Sequence, residues 1–63
     1  MNKVGARLKK LRGDRSRKEV ADALGLKVST IGMYENGQRI PRDKMKIKMA
    51  KYFNTDVKTL FFD

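Results

Sequence analysis

The chain lacks the two side chains that most often build catalytic and metal sites. Its 63 residues include no Cys and no His. Without Cys there is no disulfide, no thiolate nucleophile and no zinc–sulfur site. Without His, the commonest metal ligand and general base is missing. We therefore expect a protein that is not an enzyme, with no catalytic residue, no metal ion and no cofactor.

Long apolar segments are also missing. No apolar run approaches the roughly 18 residues that indicate a transmembrane helix. The basic start MNKVGARLKKLR is not followed by the apolar segment of a signal peptide. Because so short a chain allows one domain at most, the sequence predicts a single domain over residues 1–63, located in the cytoplasm and without membrane contact.

Positive charge is what the sequence has in excess. Lys and Arg number 16 against 7 Asp and Glu, which gives a formal net charge of +9. Residues 1–18 and 37–51 contain most of the basic side chains, while residues 19–36 are nearly neutral or acidic. This balance is typical of a chain whose partner is a nucleic acid, an anionic membrane surface or an acidic protein. Solvation of short, Lys-rich helices explains the same pattern equally well. The membrane surface is disfavoured, because Gly13, Gly25, Gly37 and Pro41 divide the chain too finely for one long amphipathic helix.

Apolar residues recur at helical spacing in four short segments. The predicted inward residues are Val4, Leu8 and Leu11, then Val20, Ala21 and Leu24, then Ile31 and Tyr34, and then Met45, Met49, Ala50 and Phe53. The last set also alternates like a strand between Met45 and Met49, but the helix-forming Met and Lys residues favour a helix there. We predict an all-α fold, a compact bundle of four to five helices.

Capping and breaking residues delimit these segments. Ser16 followed by Glu19 is a capping-box pattern that begins the second helix. The third helix is predicted over residues 28–35 and the fourth over residues 42–53. The stretch 54–56 then predicts a helix stop followed by a new N-cap, which leads into one last helical turn.

The second and third segments have the spacing of a helix-turn-helix. They are joined by Leu24-Gly25-Leu26-Lys27, with a glycine in the turn. Gly25 tolerates the positive φ that a sharp turn needs, and the small Ala21 lets two crossing helices approach closely. The spacing fits a DNA-binding motif, and it also fits an ordinary helical hairpin.

Several motifs in this order resemble one known family. They are SRKEVADALGL from Ser16, STI from Ser29, YENG from Tyr34, Pro41, and the closing MAKYFNTDVKTLF from Met49. Together they resemble the Cro/C1-type (XRE-like) helix-turn-helix family of phage and bacterial transcriptional regulators. The resemblance runs from about Val4 to Phe61.

The resemblance implies a lambda-repressor-like, five-helix DNA-binding domain whose third helix lies in the major groove. It implies a sequence-specific regulator of transcription, most often a repressor, that binds double-stranded DNA. It also implies a homodimer on a palindromic operator. No small-molecule ligand is indicated.

The resemblance also implies which residues contact bases. These are Lys27, Val28, Ser29, Gly32 and Met33. The chain departs from the family at three of them. Lys27 has no side-chain oxygen with which to cap the third helix. Val28 and Met33 cannot hydrogen-bond to a base and can only pack against thymine methyl groups. A position in the core remains an alternative for both.

The family pattern assigns further residues to the DNA backbone and to a dimer. Glu35 is expected to be structural and to pair with Lys10, with Arg7 one turn away, so that the lysine is oriented toward phosphates. The expected phosphate contacts are Lys10, Ser16, Arg17, Thr30, Asn36, Gln38 and Arg39. The expected dimer interface is Val57, Leu60, Phe61 and Phe62, with the alternative that the first three complete the monomer core and only Phe62 is free.

Two other functions remain open at this point. The same fold serves as a protein-interaction module, such as an antitoxin or an anti-repressor, and the missing polar base readers are consistent with that. A basic module that binds nucleic acid without sequence preference is the second. Specific operator binding survives an excess of random DNA, whereas non-specific binding does not.

Overall fold

The computed structural model describes residues 3–62, which form four α-helices and a closing π-helical turn. The helices are α1 (Lys3–Arg12), α2 (Arg17–Leu24), α3 (Val28–Glu35), α4 (Asp43–Tyr52) and the π-helical α5 (Lys58–Phe62). The described residues contain no strand, so the predicted all-α bundle is confirmed. The predicted bounds of α3 are confirmed, and α4 is one residue shorter at each end than expected.

One apolar core joins the helices. Its members are less than a tenth exposed: Leu8, Val20, Ala21, Leu24, Ile31, Tyr34, Met49, Ala50 and Leu60. All but Leu60 were predicted as inward residues from helical spacing alone. The ambiguous segment in α4 is helical, because Met49 is 1% exposed while Ile47 is 50% exposed. In a strand these two side chains would share a face.

Helix α1 crosses α3 at a glycine that the apolar pattern did not single out. Gly5 is buried, and a Cβ placed on it would meet the backbone carbonyl groups of Tyr34 and Glu35. The two helices therefore touch through their backbones at this point. Gly5 lies one turn before Leu8, so a Gly on the apolar face of a predicted helix was the available signal.

The ends of α2 and α3 set the angle between them. Oγ of Ser16 accepts a hydrogen bond from the backbone N–H of Glu19 at 3.0 Å, which confirms the predicted N-cap. At the other end Gly25 has φ of 70° and the N–H of Leu26 donates to the carbonyl of Ala21. This Schellman ending reverses the chain between the helices. The side chain of Lys48 donates to the carbonyl of Leu24 and satisfies a further group at this end.

The last turn supplies part of the core rather than a free apolar surface. Leu60 is 1% exposed, so its side chain has no surface to offer a partner in this packing. Val57 and Phe61 are partly buried, and Phe62 is 66% exposed. Of the four residues expected at a dimer interface, Phe62 is the one that is mainly exposed, which favours the alternative in which the others complete the monomer.

Across the described region, every helix is too short or too polar to cross a lipid bilayer.

Candidate nucleic-acid interface

Helix α3 buries one side and exposes the other. Ile31 and Tyr34 lie in the core, at 3% and 7% exposure. On the outer side Ser29 is exposed, and Val28 is 45% exposed, which excludes the alternative of a core position for Val28. Met33 is half-buried and therefore offers part of its side chain to solvent. The outer face has one hydroxyl and two apolar side chains, as the sequence predicted.

The first turn of α3 has no side-chain cap. Lys27 occupies the N-cap with φ of −81° and ψ of 150° and makes no capping hydrogen bond with its side chain. This confirms the expected departure from the family pattern. The Lys27 side chain is exposed, so its ammonium group is available at the start of the helix.

The opposite end of α3 is closed by backbone hydrogen bonds. Gly37 has φ of 75°, and the N–H of Gln38 donates to the carbonyl of Met33 at 2.9 Å. The loop that follows carries Asn36, Gln38 and Arg39 on the surface, where they were expected. This loop and the start of α2 therefore both expose polar groups next to α3.

Glu35 is the best-buried charged side chain near this surface, and its partners differ from those expected. Its Oε2 accepts from Nε of Arg12 at 2.7 Å, and its Oε1 accepts from Nη2 of Arg12 and from Nε of Arg17, each at 3.2 Å. The predicted pairing with Lys10 is wrong. Lys10 lies on the side of α1 away from Leu8, whereas Arg12 follows Leu8 by one turn and reaches the core side.

The carboxylate of Glu35 joins the ends of three helices. Its side chain is 2% exposed, against 17% for Arg12 and 39% for Arg17. The hydrogen bond to Glu35 raises the pKa of Arg12, and the negative charge raises it further while burial opposes the shift. Because these hydrogen bonds connect the last residue of α1, the first residue of α2 and the last residue of α3, the carboxylate limits how the three helices can shift relative to one another.

Other basic side chains are used within the domain. The guanidinium of Arg15 lies over the rings of Tyr52 and Phe53, at 5.2 and 5.5 Å from their centroids. The ammonium of Lys46 lies 4.8 Å from the ring centre of Phe62. Arg7 donates to the backbone carbonyls of α5. These contacts could not be predicted from the sequence, since charge composition does not show which cations pack on aromatic rings or cap helices.

The expected phosphate contacts lie mainly on the surface. Thr30 and Arg17 are partly buried, and the others are exposed: Lys10, Ser16, Asn36, Gln38 and Arg39. Gly32 is buried under the guanidinium of Arg17, which lies 3.2 Å from the place of a Cβ on that glycine. The individual contacts to DNA remain predictions.

Within residues 3–62 there is no group of three or more acidic side chains placed to hold a metal ion.

A small helical domain that packs α2 and α3 across a glycine turn and leaves the outer side of α3 open has the helix-turn-helix fold. A family model described as helix-turn-helix matches residues 7–60, and the chain belongs to this family, the Cro/C1 type that its motifs resemble. The family is one of DNA-binding domains rather than of enzymes. Comparison with curated proteins and with solved structures found no match.

Proposed function

We propose that this protein is a sequence-specific regulator of transcription, acting as a repressor, that inserts α3 into the major groove of double-stranded DNA. The observation that carries the proposal is the exposure of the outer side of α3 beside the polar ends of α2 and of the following loop. An α-helix fits the major groove, where each base pair presents a distinct pattern of donors, acceptors and methyl groups.

The outer face of α3 supports a particular kind of readout. Val28 and the exposed part of Met33 offer apolar contact, which matches the methyl group of thymine. Ser29 accepts and donates hydrogen bonds but discriminates weakly, and Lys27 reaches either a phosphate or a guanine edge. We therefore propose a T-rich recognition sequence in which methyl contacts carry more of the discrimination than hydrogen bonds.

Phosphate contacts supply affinity and orientation without sequence information. The candidates on both sides of α3 are Arg17 at the start of α2 and Asn36, Gln38 and Arg39 after α3. They support a mode in which the backbone is held on both sides of the inserted helix. Replacing Arg39 with Ala is expected to weaken binding to all sequences alike, whereas replacing Val28 or Met33 is expected to change which sequence is preferred.

We further propose a homodimer on a palindromic operator, with the two α3 helices about 34 Å apart, one turn of DNA. Phe62 is the side chain that supports it, because it is 66% exposed and offers apolar surface to a second copy of the chain. Sedimentation of the wild type and of Phe62→Ser, with and without DNA, tests this part. Equal monomeric behaviour of both proteins on DNA would contradict it.

Selection of bound duplexes from a random pool at physiological salt tests the main proposal. The expected outcome is an enriched, T-rich, two-fold symmetric sequence whose binding survives an excess of random duplex. Met33→Ala is expected to enrich a different sequence, and Arg39→Ala the same sequence at lower affinity. No enrichment, with binding abolished by random duplex, would identify a non-specific basic module, and no DNA binding would favour a protein-interaction module.

A further inference from the structure

Two arginines share Glu35, but they use their donors differently. Arg12 gives Nε and Nη2 to the carboxylate and Nη1 to the carbonyl of Arg15 at 2.8 Å. Arg17 gives only Nε, at 3.2 Å. Neither Nη1 nor Nη2 of Arg17 has a hydrogen-bond acceptor among residues 3–62. Arg12 is therefore a structural contact, whereas Arg17 leaves the outer edge of its guanidinium without a protein acceptor in the described part of the chain.

The position of Arg17 is unfavourable for the helix that carries it. It is the first residue of α2, where the positive end of the helix dipole disfavours a cation. The buried carboxylate of Glu35 compensates for this from the neighbouring helix. A neutral residue would need no such compensation, so the stability of α2 does not explain an arginine here.

Gly32 leaves the space in which this guanidinium lies. A Cβ on Gly32 would approach Nη1 of Arg17 to 3.2 Å and the central carbon of the guanidinium to 3.7 Å. Gly in the middle of a helix costs about 1 kcal/mol relative to Ala, and α3 is only eight residues long. Gly32 lies one turn after Val28 and hence on the same side of α3. The guanidinium of Arg17 therefore lies beside Gly32, at the edge of the outer face of α3.

We infer that Gly32 and Glu35 are positioning residues that hold the Arg17 guanidinium against α3 as a preset phosphate-binding group. Glu35 orients it through Nε, Arg12 fixes Glu35 from the other side, and Gly32 lets it lie close to the helix backbone. Gly32 then serves DNA binding by seating Arg17 and not by contacting a base itself. The inference rests on the proposed function, because it assumes that DNA meets this face of α3.

A double-mutant cycle between Gly32 and Arg17 tests the inference. The probe is a random-sequence duplex of roughly two helical turns, about 20 base pairs, because a phosphate contact is independent of sequence. Dissociation constants are measured by fluorescence anisotropy over a range of salt concentrations for the wild type, Gly32→Ala, Arg17→Ala and the double variant. The thermal unfolding midpoint of each protein shows that it is folded.

The expected result is a non-additive cycle. Arg17→Ala weakens binding about tenfold, as expected for the loss of a charge-assisted contact, and lowers the salt slope by about 1. Gly32→Ala leaves the protein folded. In the wild-type background it weakens binding and lowers the salt slope, whereas in the Arg17→Ala background it changes neither the affinity nor the slope. Lys18→Ala is the matched control. It removes the same charge one residue along α2, from a side chain that is 76% exposed and paired with Asp22, and is expected to lower the slope less than Arg17→Ala.

Glu35 is tested by its effect on Arg17 rather than by stability alone. Glu35→Gln is expected to shift the Nε–H resonance of Arg17 in the free protein and to weaken DNA binding only when Arg17 is present. Should this variant unfold, Arg17→Lys gives the same information. Lysine keeps the positive charge, but its single ammonium group cannot bond Glu35 through one nitrogen and present other nitrogens to DNA. Arg17→Lys is expected to recover only part of the affinity lost in Arg17→Ala.

The outcomes separate the inference from the proposed function. If Gly32→Ala weakens binding equally with and without Arg17, the new methyl group collides directly with DNA, and the inference is overturned while the proposed function stands. The same conclusion follows if Gly32→Ala has no effect. If the wild type does not bind the duplex at all, both the proposed function and the inference that rests on it are contradicted.

Discussion

A single carboxylate fixes the geometry around the outer face of α3. Glu35 is 2% exposed and receives hydrogen bonds from arginines on two other helices. A carboxylate this deeply buried costs free energy unless it is paired and hydrogen-bonded, and both conditions are met here. Glu35 therefore joins α1, α2 and α3 through polar contacts in addition to their apolar packing.

Gly5 is the second position where one residue decides how helices meet. Gly5→Ala places a methyl group against the backbone of α3, which cannot move aside like a flexible side chain. We expect a net loss of up to about 2 kcal/mol, because overpacking costs about 1–3 kcal/mol and the better helix propensity of Ala returns about 1 kcal/mol. Urea unfolding measures the difference.

Ala6→Gly is the matched control for the change at Gly5. Ala6 is exposed on the same helix, so this variant reports the difference in helix propensity alone. If Gly5→Ala stabilises the protein by as much as Ala6→Gly destabilises it, the result contradicts a backbone contact between α1 and α3 at Gly5.

At the level of the helices, α3 is capped at its C-terminus and has no side-chain cap at its N-terminus. Its C-terminus closes with Gly37 at φ of 75° and a hydrogen bond from Gln38 to Met33. Its N-terminus has Lys27 and no side-chain cap. A cation at a helix N-terminus opposes the helix dipole, so stability does not account for a lysine there. The contact with DNA proposed above for Lys27 accounts for it.

Lys27→Ser is therefore expected to separate stability from binding. The hydroxyl supplies the missing cap and raises the free energy of unfolding by about 1 kcal/mol, while the loss of the ammonium weakens DNA binding. Chemical unfolding and DNA titration of the same protein check the two effects. Ser16→Ala, which removes an existing cap on α2, is expected to lower stability by a similar amount. A Lys27→Ser protein with unchanged stability would contradict the capping argument.

The start of α5 depends on pH through Asp56. Its Oδ1 accepts from the backbone N–H of Thr59 at 2.7 Å, which lowers the pKa of Asp56 below its usual value of 3.8. A carboxylate with a lowered pKa in the folded state contributes stability above its usual pKa and loses that contribution as the pH falls through the lowered value. The stabilising effect of this cap is therefore complete at neutral pH and disappears in acid below about pH 3.8.

Asp56→Asn tests this pH dependence, because Asn keeps an oxygen acceptor and does not titrate. We expect the wild type to be more stable at neutral pH and the difference to shrink as the pH falls below the usual Asp pKa. Thermal unfolding midpoints of both proteins across that range measure it. Asp14→Asn, at an exposed position in the turn after α1, is the control for a general change in charge. A constant difference between wild type and Asp56→Asn would contradict a titrating cap.

On the scale of the whole molecule, the net charge of +9 overstates the number of cations available to DNA. Arg12 is paired with Glu35, Arg15 and Lys46 lie over aromatic rings, and Lys48 caps α2. These side chains stabilise the domain in the absence of any partner. The cations left for phosphates are fewer than the composition suggests.

The salt dependence of DNA binding is expected to reflect that smaller number. With about four to six phosphate contacts per protomer and a slope of about −0.9 for each, the logarithm of affinity should fall with the logarithm of salt at about −4 to −5 per protomer. Titrations of a duplex at several salt concentrations give this slope. The measured slope is divided by the number of protomers bound to each duplex, and a per-protomer slope twice as steep as expected would mean that the cations packed within the domain also engage DNA.

Much of the fold follows from local features of the chain. The apolar spacing, the cap at Ser16 and the turn at Gly25 predict α2, α3 and most of the core, because each depends on residues a few positions apart. The partner of Glu35 was predicted wrongly for the opposite reason. Arg12 and Lys10 are two residues apart and carry the same charge, and only the way α1 rotates against α3 decides which of them reaches the carboxylate.

The sequence by itself determined the helices, most of their ends, the helix-turn-helix and the family, since hydrophobic period and backbone preferences act over short stretches of chain. The tertiary structure decided which cations serve the domain and which remain for a partner, that Leu60 belongs to the core, and that Gly32 lies under Arg17. These depend on distances between residues far apart in the chain, and such distances arise only when the helices pack together.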